Sequence, residues 1–152
     1  MGGADEFDFT RKVVKSILKL NLDVELNIII GSGYEYKNEL EKILQNSSIK
    51  YQIKQNLTNM LDEYLSCDIG IGAGGLTSSE LVATKVSPIL IATYNHQIAR
   101  CEYFHKKGLA RYLGYRDFND SDLANAILNP IKPIEIDIFN THKIVMLIDE
   151  EI

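Results

Sequence analysis

Apolar runs of strand length alternate with amphipathic stretches of helix length along this chain. Over residues 9–20, Val13, Val14, Ile17, Leu18 and Leu20 fall on one stripe at helical spacing. Residues 24–30 become continuously apolar, as strands buried in a parallel sheet do, and Gly31-Ser32-Gly33 breaks the run. A second helix is predicted over 36–45, ended by Asn46-Ser47-Ser48, and a short alternating strand over 49–53. A third helix is predicted over 59–66, with Leu57, Met60, Leu61 and Leu65 as its apolar face. The strand 68–72 runs into a glycine-rich turn and a helix over 77–85, and 88–93 reads as another buried strand. A helix over 96–107 ends at Gly108, placed as a left-handed C-cap. A weak edge strand over 110–113 and a helix over 121–128, behind a cap at Asn119/Asp120, follow. Beyond Pro133, residues 136–139 fit strand or loop, and 142–152 fit helix better than strand.

Repeated strand–helix units with short connections predict an α/β fold, a Rossmann-like parallel sheet with helices on both faces. No repeat, low-complexity tract or linker divides residues 1–152, so one domain is expected. Gly2-Gly3-Ala4-Asp5 leads straight into a helix, as a strand-to-helix phosphate loop does, yet no strand precedes it. The expectation is a fragment whose absent first strand sits centrally in a doubly wound order. Marginal stability, or a strand borrowed from a neighbouring chain as a homo-oligomer, would follow.

Composition narrows the partners. A formal charge of -5 argues against nucleic acid or an anionic membrane. Cys67 and Cys101 are too few for a disulfide framework and too far apart for a CxxC pair. No apolar run approaches the ~20 residues of a membrane span, and the acidic start lacks the apolar stretch of a secretory signal. A cytoplasmic protein is expected. No His/Cys/Asp spacing suggests a metal site, and no cofactor is implied.

In open α/β sheets ligands bind at the carboxyl ends of the strands. Three loops there are glycine-rich or polar: residues 2–5, residues 31–33, and residues 72–77. Glycine admits close backbone approach, and a helix N-terminus adds unpaired N–H donors and a positive dipole end. The third loop is best placed, and a diphosphate on the N–H groups of residues 74–78 is the functional reading. Tight strand-to-helix turns explain each loop equally well. Gly70-x-Gly72-x-x-Gly75 matches the dinucleotide fingerprint, but the acidic residue expected ~20 positions later is missing, which argues against NAD. Glu80, one turn into the helix, could accept bonds from both ribose hydroxyls; complementing the helix dipole explains it as well. Asn95-His96-Gln97 follows a buried strand, where amides suit sugar hydroxyls and where Asn95 also fits a helix N-cap. His96, His105 and His142 form no triad, and Lys106, Lys107, Arg111 and Arg116 read as solvated surface.

Taken in order, Gly2-Gly3-Ala4-Asp5, Gly31-Ser32-Gly33, Asn59-Met60, the run from Cys67 through Gly74-Gly75-Leu76-Thr77 to Glu80, and Asn95-His96-Gln97 resemble one family. It is the C-terminal half of the UDP-sugar hydrolases of pseudaminic acid biosynthesis and their spore-coat polysaccharide relatives. The pattern is more distantly similar to the peptidoglycan N-acetylglucosaminyltransferase, which shares the GT-B fold. The resemblance covers nearly the whole chain. It implies that Gly2 and Gly3 line the cleft between two domains and that backbone near Asn59 and Met60 lies by the uracil. It further implies that Gly74, Gly75, Leu76 and Thr77 hold the diphosphate, Glu80 the ribose, and Asn95 and Gln97 the diphosphate or sugar. In the family Asn is commonly followed directly by Gln, whereas here His96 intervenes.

In that family an N-terminal domain supplies the histidine that activates water, so this chain is expected to bind a UDP-sugar without a catalytic residue of its own. The implied role is the UDP-sugar-binding domain of a nucleotide-sugar hydrolase in cell-surface glycan biosynthesis, partnered by that missing domain. A donor-binding domain of a GT-B glycosyltransferase and a non-catalytic nucleotide-binding module are the alternatives.

Overall fold

Parallel pairing organises every strand of the computed structural model, which describes residues 4–84 and 86–132. Gly2, Gly3 and the segments 136–139 and 142–152 lie outside the described residues. Strand β1 (Glu25–Ile30) pairs with β2 (Lys50–Gln55) from Glu25↔Lys50 to Ile30↔Gln55. A second sheet has the order β3 (Ile69–Ala73), β4 (Ser87–Ala92), β5 (Arg111–Tyr115). Central β4 is buried along its whole length, as its uninterrupted apolar run predicts. The β4–β5 register slips between Leu90 and Ile91, close to Gly114, whose φ of 140° only glycine adopts readily.

Helices cover both faces, so the expected α/β class stands. On one face lie α1 (Phe9–Leu20), α2 (Lys37–Gln45) and α6 (Asp120–Leu128). Phe9, Val13 and Ile17 of α1 pack with Ile89, Ile91 and Leu123, while Val14 packs with Ile28, Ile30, Leu40 and Leu44. Helix α1 therefore bridges the cores of both sheets. On the other face lie α3 (Leu61–Leu65), α4 (Leu76–Ala83) and α5 (Ile98–Lys106), packed through Tyr64, Leu81 and Cys101.

The sheet is split, however. A cavity of about 500 Å³ runs between β1 and β3 and is lined by every residue of both strands. The spatial order is thus β2-β1-cleft-β3-β4-β5. Thr10, Val13, Val14 and Ile17 of α1 line the cleft on one side, and Met60, Tyr64 and Leu81 line it on the other.

Chain punctuation follows the sequence signals. Gly108 takes φ 70° behind α5, and Asn119 caps α6 by accepting from the Asp122 N–H at 2.7 Å. The apolar face expected of the third helix is corrected. Tyr64 is the buried residue, while Leu61 and Leu65 are 49% and 64% exposed. Met60 and Tyr64, four residues apart, share the inward stripe, and the leucines sit one position further round. No described helix is long and apolar enough to cross a membrane.

Candidate functional site

The carboxyl end of β3 is built around close helix approach. A Cβ on Gly70 would overlap the Leu81 side chain, and one on Gly72 would come within 3.2 Å of Thr77 Cγ2. A Cβ on Gly74 would overlap Cys101 Sγ and lie 2.9 Å from the Gln97 Cβ. Gly70 and Gly72 thus seat α4 against the strand, and Gly74, outside the fingerprint-like spacing, seats α5. Gly75 precedes α4 directly, and the N–H groups of Leu76 and Thr77 open the helix with no carbonyl one turn back inside it. Ser78 is committed internally: its N–H and Oγ both donate to the Gly75 carbonyl, at 3.2 and 2.6 Å.

Of the residues singled out from sequence, Met60, Thr77 and Glu80 come together on the cleft wall. The hydroxyl of Tyr64 donates to Glu80 Oε2 at 2.7 Å. Burial, and then this bond to a carboxylate, push the Tyr64 hydroxyl well above the ordinary phenol range. Glu80 is exposed but tethered, its carboxylate held at the cleft one turn into α4.

Gln97 joins the glycine loop from the next strand end. Its Oε1 accepts from the Thr93 N–H at 2.9 Å, the Thr93 hydroxyl at 3.1 Å and the Tyr94 N–H at 3.3 Å. A Cβ on Gly75 would lie 3.7 Å from Gln97 Nε2, so the amide group faces the loop. The expected N-cap at Asn95 is corrected. Residues Asn95–Gln97 form a 3-10 turn capped reciprocally by Tyr94 and Gln97, so Tyr94 holds the N-cap position. Asn95 and Leu76 are exposed, the latter by 78%, and Asn59 is spent on its own helix. Asn59 Oδ1 accepts from the Leu61 N–H at 3.0 Å, and its Nδ2 donates to Asp62 at 2.8 Å.

Two contributors carried no clear sequence signal. Arg100 donates to the Gly75 carbonyl at 3.2 Å and so brings a cation to the glycine loop. It lies three residues after Gln97, on the same helical face, which is the one cue that could have found it. Arg116, read as solvated surface, is exposed, and it also donates to the Thr93 carbonyl at 3.0 Å and lies 4.1 Å over the Phe7 ring. Arg111 is half-buried rather than solvated.

The loop leading into α1 sits over the same end of the sheet. The Asp5 carboxylate accepts from the Phe9 and Thr10 N–H groups at 3.1 and 2.7 Å, filling the N-terminus of α1. Glu6 accepts from the Tyr94 hydroxyl, and Asp8 from the Tyr34 hydroxyl, both at 2.9 Å. Among the described residues no His/Cys/Asp/Glu group could hold a metal ion, and both cysteines are free thiols.

The uncharacterized protein MJ1062 of Methanocaldococcus jannaschii is 28% identical over 102 residues, covering 66% of this chain and 21% of that protein. The chain thus spans about a fifth of that relative's length. No solved structure matches significantly. The family model for the glycosyltransferase family 28 C-terminal domain matches residues 1–144. With its parallel strands, its helices on both faces and its glycine-rich loop at a strand end, the chain belongs to that family, within the GT-B superfamily.

Proposed function

We propose that this chain is the UDP-sugar-binding half of a nucleotide-sugar hydrolase acting in cell-surface glycan biosynthesis. The observation that carries this is the joint placement of Thr77 and Glu80 on the cleft wall, with the Glu80 carboxylate held by Tyr64 beside the glycine loop. The diphosphate would lie on the backbone of Gly74, Gly75, Leu76 and Thr77, at the N-terminus of α4. Arg100 would balance its charge, and the Gln97 amide would donate to the diphosphate or sugar. Glu80 would accept from the ribose hydroxyls, and the backbone around Asn59 and Met60 would border the uracil. Gly2, Gly3 and Asn95 belong to the same reading through family resemblance alone.

Such a site stabilises UDP as a leaving group, while the group that activates the nucleophile would come from an N-terminal partner domain. The name of the family favours a second reading, the donor half of a glycosyltransferase, in which a sugar hydroxyl replaces water. Both reactions use one donor site.

Calorimetric titration with UDP, with ADP and NAD as controls, tests the reading. Selective UDP binding is expected, and Glu80→Ala should weaken it about tenfold to a hundredfold, as loss of hydrogen bonds to a charged group does. Equal binding of ADP would remove the uracil selectivity, and an unchanged UDP affinity in Glu80→Ala would remove the ribose role. Circular dichroism on the same samples separates failure to bind from failure to fold.

A further inference from the structure

We infer that the carboxyl ends of β4 and β5 carry a stacking platform for the sugar ring of the nucleotide sugar, built from Phe7, Tyr94, His96 and Tyr115 and held by Arg116 and Glu6. The inference deepens the donor-site reading and rests on it. Its basis is an unbroken run of ring contacts at one end of the sheet. Tyr94 and His96 stack, with centroids 5.8 Å apart and planes inclined by 17°. Phe7 meets Tyr94 at 5.7 Å and 63°. The Arg116 guanidinium then lies 4.1 Å from the Phe7 centroid and 5.3 Å from that of Tyr115.

These rings face water. Phe7, Tyr94 and Tyr115 are 42%, 38% and 40% exposed, and His96 and Arg116 are exposed as well. Hydrogen bonds nevertheless hold the set in place. Glu6 accepts from the Tyr94 hydroxyl at 2.9 Å. The Arg116 N–H donates to the Ala92 carbonyl at 2.8 Å and its Nε to the Thr93 carbonyl at 3.0 Å. Arg116 does so from a φ of 54°, a left-handed conformation that a residue with a side chain rarely adopts. Strain of this kind persists where the surroundings enforce it, and it gathers at ligand sites. Exposed rings already fixed in position lose little further freedom when a ligand arrives.

Position selects the ligand. Across the fold the strand ends succeed one another as β1, β3, β4 and β5. In the donor-site reading the base borders Met60 at the cleft, and the diphosphate lies on Gly74 to Thr77, past β3. The next strand end is that of β4, where Gln97 Oε1 accepts from the Thr93 and Tyr94 N–H groups and Nε2 turns toward Gly75. A group carried beyond the diphosphate therefore arrives at Tyr94 and His96, with Tyr115 and Arg116 beside them at the end of β5. A pyranose fits this surface. One face of its ring presents C–H groups that pack on aromatic rings, while its hydroxyls reach the rim. There the Glu6 carboxylate offers an acceptor, and the Gln97 amide and Arg116 guanidinium offer donors.

The test titrates the full chain, 13C-labelled in its Phe, Tyr and His rings, with UDP, UDP-glucose and UDP-N-acetylglucosamine. Ring signals are followed by NMR and affinity by calorimetry. At least one UDP-hexose is expected to bind about twofold to tenfold tighter than UDP, the range one favourable aromatic contact supplies. It should also move the signals of Tyr94, His96 and Tyr115, which UDP leaves in place. His96→Ala and Tyr115→Ala each truncate an exposed ring; they should bring that hexose down to the affinity of UDP and leave UDP binding unchanged. Hexoses that bind no tighter than UDP, ring signals that UDP moves equally, or variants that keep the preference would each overturn the platform while the nucleotide reading stands. A wild-type chain that folds but binds no UDP would sink the donor-site reading, and the platform with it.

Discussion

The hydroxyl of Tyr64, on α3, donates to the carboxylate of Glu80, on α4, at 2.7 Å across the wall of the cleft. The bond joins a buried side chain to an exposed one. It fixes where the acceptor points before any ligand arrives, which is how preorganisation limits the ordering cost of binding. Tyr64→Phe keeps the ring in its core and removes only the donor. It should cost about 1 kcal/mol of stability and weaken UDP binding less than Glu80→Ala does. Denaturant unfolding and calorimetry on the three proteins check this; a Tyr64→Phe variant that binds as poorly as Glu80→Ala would show that Tyr64 itself meets the ligand.

The same bond has an alkaline signature. The Tyr64 hydroxyl is held above its ordinary value near 10 by burial and by Glu80. Its contribution is fully present below the ordinary value and is lost as pH rises through the folded value. Stability of the wild type should therefore fall more steeply above pH 10 than that of Tyr64→Phe, as followed by denaturant unfolding at stepped pH.

Gly74 can be tested by steric argument alone. Adding a methyl there drives it into Cys101 Sγ and the Gln97 stem, both buried where α5 meets β3. Gly74→Ala should cost about 1–3 kcal/mol, as overpacking does, and Cys101→Ala in the same chain should recover part of the loss. Gly70→Ala meets the buried Leu81 side chain alone, so its cost should fall in the same range and be relieved by Leu81→Ala rather than by Cys101→Ala. A Gly74→Ala variant as stable as wild type would mean that α5 yields freely.

Much of this architecture was legible because local period and burial agree. The run Ile28, Ile29, Ile30 and the run 88–93 read as buried strands and are strands, and Gly108 and Asn119 end and begin helices as their chemistry predicts. What escaped depends on rotation or on distant partners. Helix α3 is short, so its stripe of leucines could not be told from the adjacent stripe of Met60 and Tyr64 without knowing where the sheet lies. Tyr64 and Glu80 are 16 residues apart, and Arg100 and Gly75 are 25 apart. No periodicity encodes such meetings. Gly70, Gly72 and Gly75 look like a nucleotide fingerprint, yet at Gly70 and Gly72 the absent side chain makes room for α4. Spacing cannot separate approach by a helix from approach by a phosphate.

The thiols report on the same region. Burial pushes the Cys101 thiol up to about 11, and burial with the Asp68 and Glu63 charges raises Cys67 as well. A thiolate-directed reagent at pH 8 should therefore modify Cys101 only when the protein opens, and Cys67 more slowly than a free cysteine. Rates in the native protein and in denaturant give the comparison. Fast native modification of Cys101 would show that α5 lifts from the glycine loop.

On the acid side the sign reverses. Asp117 is held below its ordinary value chiefly by its hydrogen bond from Lys12, and Asp120 by Ser16 and then Lys19. These three contacts tie α1 to Asp117 and to the first residue of α6, the helix that packs with α1 over β4. A carboxylate with a depressed folded pKa stabilises the native state above its unfolded value, and that contribution fades as pH falls through the folded one. Both aspartates are solvent-exposed, so salt should screen the effect. Lys12→Met keeps the packing of the stem beside Phe9 and Phe118 but removes the cation. Its stability, measured by denaturant unfolding from pH 6 down to pH 3, should fall less steeply than that of the wild type, and the difference should shrink in high salt. Parallel curves would mean that α1 is held by its apolar face alone.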